Sequence, residues 1–194
     1  MAGQINLGSE LGNIILDYAR DEKYISYLEV GTWNGQGSTR CFIEGLKDRD
    51  NECVFISLEA CPNFHKEATN YCKEFLNDRI QLVHGRIVEN DELIDGNEPI
   101  HERFLRGDLA NYATCPNVWD DIKDRTFDVV LLDGGEFSTY AEFKKLKPLS
   151  KVLILDDTKM LKNQQVVKDL NSSPKWRLAK SSDGRNGFAI YEKD

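Results

Sequence analysis

LEVGTWNGQGST, residues 28–39, decides the fold. It closes the apolar segment ISYLEV (25–30) and runs on through Leu46 with a face of small residues. An apolar run that ends in closely spaced glycines and reopens as a helix is the strand–turn–helix unit of a parallel α/β sheet. Gly31, Gly35 and Gly37 allow positive φ and close approach of a ligand. Their gaps are four and two residues, so the dinucleotide fingerprint GxGxxG is absent. A tight strand-to-helix turn with no ligand would use the same glycines.

Outward from this turn the alternation continues. Before it, Leu7, Leu11, Ile14, Ile15 and Tyr18 have helical spacing behind an N-cap at Ser9. After it, VFISLE (54–59) predicts a second strand, and Pro62 opens a helix whose apolar stripe is Phe64, Ala68, Tyr71, Cys72, Phe75 and Leu76. IQLVHG (80–85), FDVVLLD (127–133) and KVLILDD (151–157) predict three more strands, with helices at about 139–147 and 160–170. The end, WRLAKSSDGRNGFAIYEKD, reads as two strands around a turn at Asp183-Gly184 and Asn186-Gly187. Continuous apolar strands belong to parallel sheets buried on both faces. The expected fold is α/β: one Rossmann-like domain over residues 1–194, with a seven-stranded, mostly parallel sheet, helices on both faces, and a C-terminal hairpin adding an antiparallel strand at one edge. Its 194 residues suit one domain.

Composition narrows the function. The net charge of −8 disfavours generic binding to nucleic acid or anionic membrane. No apolar run approaches the ~18–20 residues that span a bilayer, and the N-terminus does not read as a secretory signal. Five cysteines without CxxC spacing give no disulfide framework or zinc ribbon, so they are expected as reduced thiols in a cytoplasmic protein. Residues 89–126 are an insertion between the third and fourth strands, expected as short helices and loops. Ten acids and four bases give it most of the chain's net charge. Two readings stand for it: a solvated excursion, or a cover over an acceptor pocket with Phe104, Tyr112 and Trp119 as apolar walls and His101 near the chemistry.

In open α/β sheets ligands bind at the carboxyl ends of the strands, near the reversal of strand order. Those ends carry Glu29 to Gly31, Glu59, Gly85-Arg86, Asp133-Gly134 and Asp156-Asp157. Glu59 can accept both hydroxyls of a ribose, which with the glycine turn suggests a nucleoside-containing cofactor. Asp133, Asp156 and Asp157 suit a divalent metal with hard oxygen ligands, such as magnesium. In the alternative reading Asp156 or Asp157 caps the next helix and Asp133 only touches the cofactor.

These residues together resemble the class I S-adenosylmethionine-dependent methyltransferases. LEVGTWNGQGST is similar to that family's first motif, Glu59 stands at its ribose acid, FDVVLLDGG matches its fourth strand, and the closing hairpin matches its reversed final strand. The resemblance implies that Glu29, Gly31, Trp33, Gly35, Ser38, Glu59, Arg86 and Asp133 surround the cofactor, with Ser38 capping the following helix. Within the family the chain is nearest to metal-dependent O-methyltransferases of the macrocin and catechol types. That implies metal ligands Asp133, Asp156 and Asp157, and a small-molecule or saccharide-like acceptor. Gly135 replaces the second acid of the sugar-type motif and Glu136 replaces the catechol-type lysine, leaving Asp133, Glu136 and His101 as catalytic candidates. An NPPY segment, typical of adenine and glutamine N-methylation, is absent. An NAD-type oxidoreductase and a non-catalytic interaction domain of the same fold are the competing readings.

Overall fold

The computed structural model describes the backbone of residues 5–94 and 99–194, with side chains throughout except at 99–101, 103 and 104. The strands are β1 (Ser26–Val30), β2 (Val54–Glu59), β3 (Ile80–His84), β4 (Phe127–Leu132), β5 (Ser150–Asp156), β6 (Trp176–Ser182) and β7 (Phe188–Lys193). The helices are α1 (Glu10–Arg20), α2 (Ser38–Leu46), α3 (Pro62–Cys72), α4 (Pro99–Tyr112), α5 (Trp119–Ile122), α6 (Thr139–Leu146) and α7 (Leu161–Asn171). The sheet order is β3-β2-β1-β4-β5-β7-β6. β3, β2, β1, β4 and β5 pair in parallel, and β7 runs antiparallel to both β5 and β6.

Strand alternation sorts the core into two layers. Leu28, Val30, Leu58, Val130, Leu132 and Leu153 pack with Phe143 and Leu146 of α6 and Val166 and Leu170 of α7. Tyr27, Phe55, Val129, Leu131 and Ile154 face the other way, onto Ile15 of α1 and Phe42 and Ile43 of α2. Ser9 caps α1 as its residue type predicts, its Oγ accepting the Gly12 N–H at 3.1 Å. No helix among the described residues is long and apolar enough to cross a membrane.

Three expectations need correction. The antiparallel strand β7 lies between β5 and β6, so the outer edge is β6, whose residues after Trp176 are mostly exposed. The α3 stripe is split: Ala68 and Cys72 are buried, Phe75 and Leu76 pack partly buried beyond the helix end, and Phe64 and Tyr71 are 37% and 46% exposed. The insertion contains the 14-residue helix α4, which is longer than the short helices expected.

Candidate active site

Strand order reverses between β1 and β4, and a cleft of about 240 Å³ opens there. Its floor is the turn after β1. Gly31 has φ +102°, and a Cβ on it would lie 2.2 Å from the Asp133 carbonyl oxygen, so no other residue fits between the ends of β1 and β4. Gly35, at φ +78°, packs against Ala68 of α3. Trp33 lies between them in the left-handed region at φ +51°, a conformation that bulky residues rarely adopt. What holds it is Glu59. The Glu59 Oε2 accepts the Trp33 N–H at 2.6 Å, and Oε1 accepts the Cys61 N–H at 2.8 Å. The acid thereby ties the glycine turn to the start of α3. It is 9% exposed, and burial pushes its pKa up to about 7 against those backbone bonds. The Trp33 ring meets Phe64 edge-on at 6.1 Å, and both line the cleft.

Glu29 lies behind this wall. Alternation puts it on the Tyr27 face of β1, toward α2. Ser38 Oγ donates to its Oε1 at 2.5 Å, while Thr39 Oγ1 and Ser57 Oγ donate to Oε2 at 2.6 and 2.5 Å. Burial lifts its pKa to about 7, opposed by the three hydroxyls. Glu29, Gly35 and Ser38 are therefore absent from the cleft lining, whereas Gly31, Trp33, Glu59, Arg86 and Asp133 are on it. Ser38 is the first residue of α2, behind Gly37 at the N-cap, and its hydroxyl serves Glu29 instead of capping the helix.

The opposite wall comes from the insertion. Asp108, Asn111 and Tyr112 share one face of α4 by their spacing and line the cleft. Tyr112 Oη donates to Glu142 Oε1 at 3.3 Å. Glu142 is fully buried and raised to about 7 by burial; its Oε2 has no hydrogen-bond partner among the described residues. Asp108 is raised to about 6 by burial, with one oxygen likewise unpartnered. Arg86 pins the insertion: it donates to the carbonyls of Cys115 and Val88 and pairs with Glu89 at 2.8 Å. Trp119, expected as a pocket wall, instead packs against the core and carries the Lys145 ammonium over its ring at 5.4 Å. The side chains of His101 and Phe104 lie outside the described residues.

Asp133, Asp156 and Asp157 do converge, with one oxygen of each within 4.8 Å of the others. The chemistry of such donors suits a hard divalent cation. A cation of the chain's own already stands among them. Lys162 Nζ, on the first turn of α7, lies 2.7 Å from Asp133 Oδ1 and 3.2 Å from Asp157 Oδ2, with its side chain 6% exposed. Burial opposes its charge, and the two carboxylates outweigh burial and hold it protonated. The other oxygen of Asp157 accepts the Asn186 amide at 3.0 Å, with Asp157 itself held at φ +57°. Burial and the neighbouring aspartates push Asp156 up to about 7. A divalent ion bound ~2.1 Å from the oxygens that Lys162 holds would come within roughly 5 Å of the ammonium. Repulsion there is on the order of 7 kcal/mol at an effective dielectric of ~20. As arranged, a divalent ion would have to displace the Lys162 ammonium from both oxygens. Glu136, a candidate base, accepts the Lys162 backbone N–H at 3.2 Å and sits at the positive end of α7.

No family model matches the sequence, and no curated protein does. Solved structures do match the fold. An O-methyltransferase of Bacillus cereus in complex with S-adenosylhomocysteine superposes with a TM-score of 0.66 at 15% identity, over 99% of this chain and 84% of that one. A methyltransferase of Podospora anserina, also bound to S-adenosylhomocysteine, gives 0.60 at 15% identity over 95% and 78%. The O-methyltransferase TomG of Streptomyces achromogenes, in complex with S-adenosylmethionine, gives 0.61 at 15% identity over 94% and 79%. The chain has the class I methyltransferase fold.

Proposed function

We propose that the protein is an S-adenosylmethionine-dependent O-methyltransferase acting on a small-molecule or saccharide-like acceptor. The observation that carries this reading is the Glu59 carboxylate bound to the glycine turn beside the β1–β4 reversal. Each of its oxygens accepts one backbone N–H and keeps a further lone pair, enough for the two hydroxyls of a ribose. The methyl donor, when bound, supplies a sulfonium-activated methyl group.

The chain's own work is to bind, align and exclude water. Trp33, Phe64 and Tyr112 offer apolar surface along the cleft, and Gly31 lets a ligand approach the β1–β4 floor. Displacement of a methyl group from sulfonium neutralises charge, so alignment and dryness are the main contributions required. The insertion that contributes the α4 wall carries ten acids against four bases, an excess that favours neutral or cationic acceptors over polyanions. In this reading α4, through Asp108 and Asn111, is the part of the insertion that covers the ligand. Magnesium assistance would require Lys162 to leave Asp133 and Asp157.

Calorimetry with S-adenosylhomocysteine and with NADH tests the reading. Binding of S-adenosylhomocysteine at one site per chain, with no heat from NADH, is expected. The reverse result would replace the methyltransferase reading by an oxidoreductase.

A further inference from the structure

We propose that the Lys162 ammonium is the built-in cation of the Asp133–Asp156–Asp157 cluster, taking the place of a divalent metal. The inference rests on the methyltransferase reading only for its catalytic meaning; the cation itself is argued from geometry. Nζ bridges Asp133 Oδ1 and Asp157 Oδ2. It arrives on α7, whose position is fixed independently. The Lys162 backbone N–H donates to Glu136, and the Asn163 Nδ2 next along donates to the Asp156 carbonyl at 2.5 Å. Asp157 is held in turn by Asn186 from the β6–β7 turn. Lysine, aspartate and asparagine thus meet from the start of α7, the segment just after β5 and the β6–β7 turn.

An ammonium has three protons. Asp133 and Asp157 take two, and no third partner appears among the described residues. The third is left for an oxygen arriving beside Asp133, the end of β4 that also borders the cofactor cleft. A charged hydrogen bond from Lys162 can thus direct an acceptor hydroxyl, a task that a bound metal otherwise performs. Lys162 is in this sense a positioning cation, and its removal should leave the three carboxylates without their shared ammonium.

The test is a titration with Mn²⁺, followed by the electron paramagnetic resonance of the free ion, on the wild type, Lys162→Ala and Lys162→Ala/Asp157→Asn. The wild type should take up no Mn²⁺ below about 1 mM. Lys162→Ala should bind one Mn²⁺ at least about tenfold more tightly, and the double variant should lose it. One Mn²⁺ bound equally well by the wild type and Lys162→Ala overturns the proposal. Should Lys162→Ala fail to fold, wild-type protein labelled with ¹⁵N-lysine answers the same question. One slowly exchanging NH₃⁺ resonance, unmoved by 10 mM Mg²⁺ and absent from Lys162→Arg, supports the built-in cation; its loss on adding Mg²⁺ refutes it. S-adenosylhomocysteine calorimetry on the same samples separates the two ideas, since absence of that binding sinks the proposed function and leaves the Mn²⁺ result to stand alone.

Discussion

Glu142 offers a sharp test of the cleft's electrostatics. Its carboxyl is fully buried, and burial moves its pKa from 4.5 to about 7, against hydrogen bonds from Ser138 and Tyr112. A raised carboxyl pKa means that the folded state holds the proton more firmly than the unfolded chain. The resulting stability is complete below about pH 4.5 and is lost as pH rises to about 7. A displacement of that size corresponds to ~3 kcal/mol. Glu142→Gln removes the titration while keeping the shape. Its amide sits where Oε2 has no partner, and that cost is the same at every pH, so it cancels in a comparison between two pH values. Thermal unfolding of wild type and variant at pH 5 and pH 8 is the assay. Wild type should lose up to ~3 kcal/mol more than the variant on going to pH 8. At 2–4 °C per kcal/mol for a chain of this size, that is roughly 6–12 °C in Tm. Tm curves that stay parallel from pH 5 to pH 8 would refute the claim that the fold keeps Glu142 neutral.

Three further expectations follow from the same contacts. Glu59→Ala should weaken S-adenosylhomocysteine binding by ~10–150-fold in calorimetry, the loss of charge-assisted hydrogen bonds of ~1.5–3 kcal/mol; an unchanged Kd removes the ribose from Glu59. Gly31→Ala forces a Cβ to 2.2 Å from the Asp133 carbonyl, so chemical denaturation should reveal severe destabilisation, and a wild-type midpoint would contradict the close approach. Arg86→Ala releases the carbonyls of Val88 and Cys115; amide exchange should quicken over 112–118 and stay unchanged in β4 and β5, and acceleration shared by the whole sheet would deny Arg86 its local role.

Much of the fold was readable because buried parallel strands are short apolar blocks between polar ones. VFISLE coincides with β2 residue for residue. Sheet order carried no such signal: β7 and β6 follow each other in the chain, and only their pairing with β5 decides which is outermost. α4 escaped because its apolar residues are sparse and Gly107 interrupts it. The site was half legible. Glu59 and the aspartates stand at strand ends, where topology alone brings them together. Glu29 stands off the cleft lining, and alternation with Tyr27 already turns it toward α2. Asp108 and Asn111 resemble a solvated helix face, and nothing local marks a face as turned inward. Lys162 was missed for a related reason. On an amphipathic helix a lysine reads as surface, and its burial depends on carboxylates nearly thirty positions earlier at Asp133 as well as on its neighbour Asp157.

The outer strand β6 bears on how copies of the chain can meet. Its register with β7 slips between Leu178 and Lys180, and it presents Arg177 and Lys180, paired with Glu192 and Glu10. An open ladder of backbone groups invites another strand, and kinks and charges along it discourage continuation. A second molecule approaching this side would find an interrupted ladder and two cations facing their own counterparts on the incoming edge. Growth of the sheet from one molecule into the next is thereby discouraged at β6.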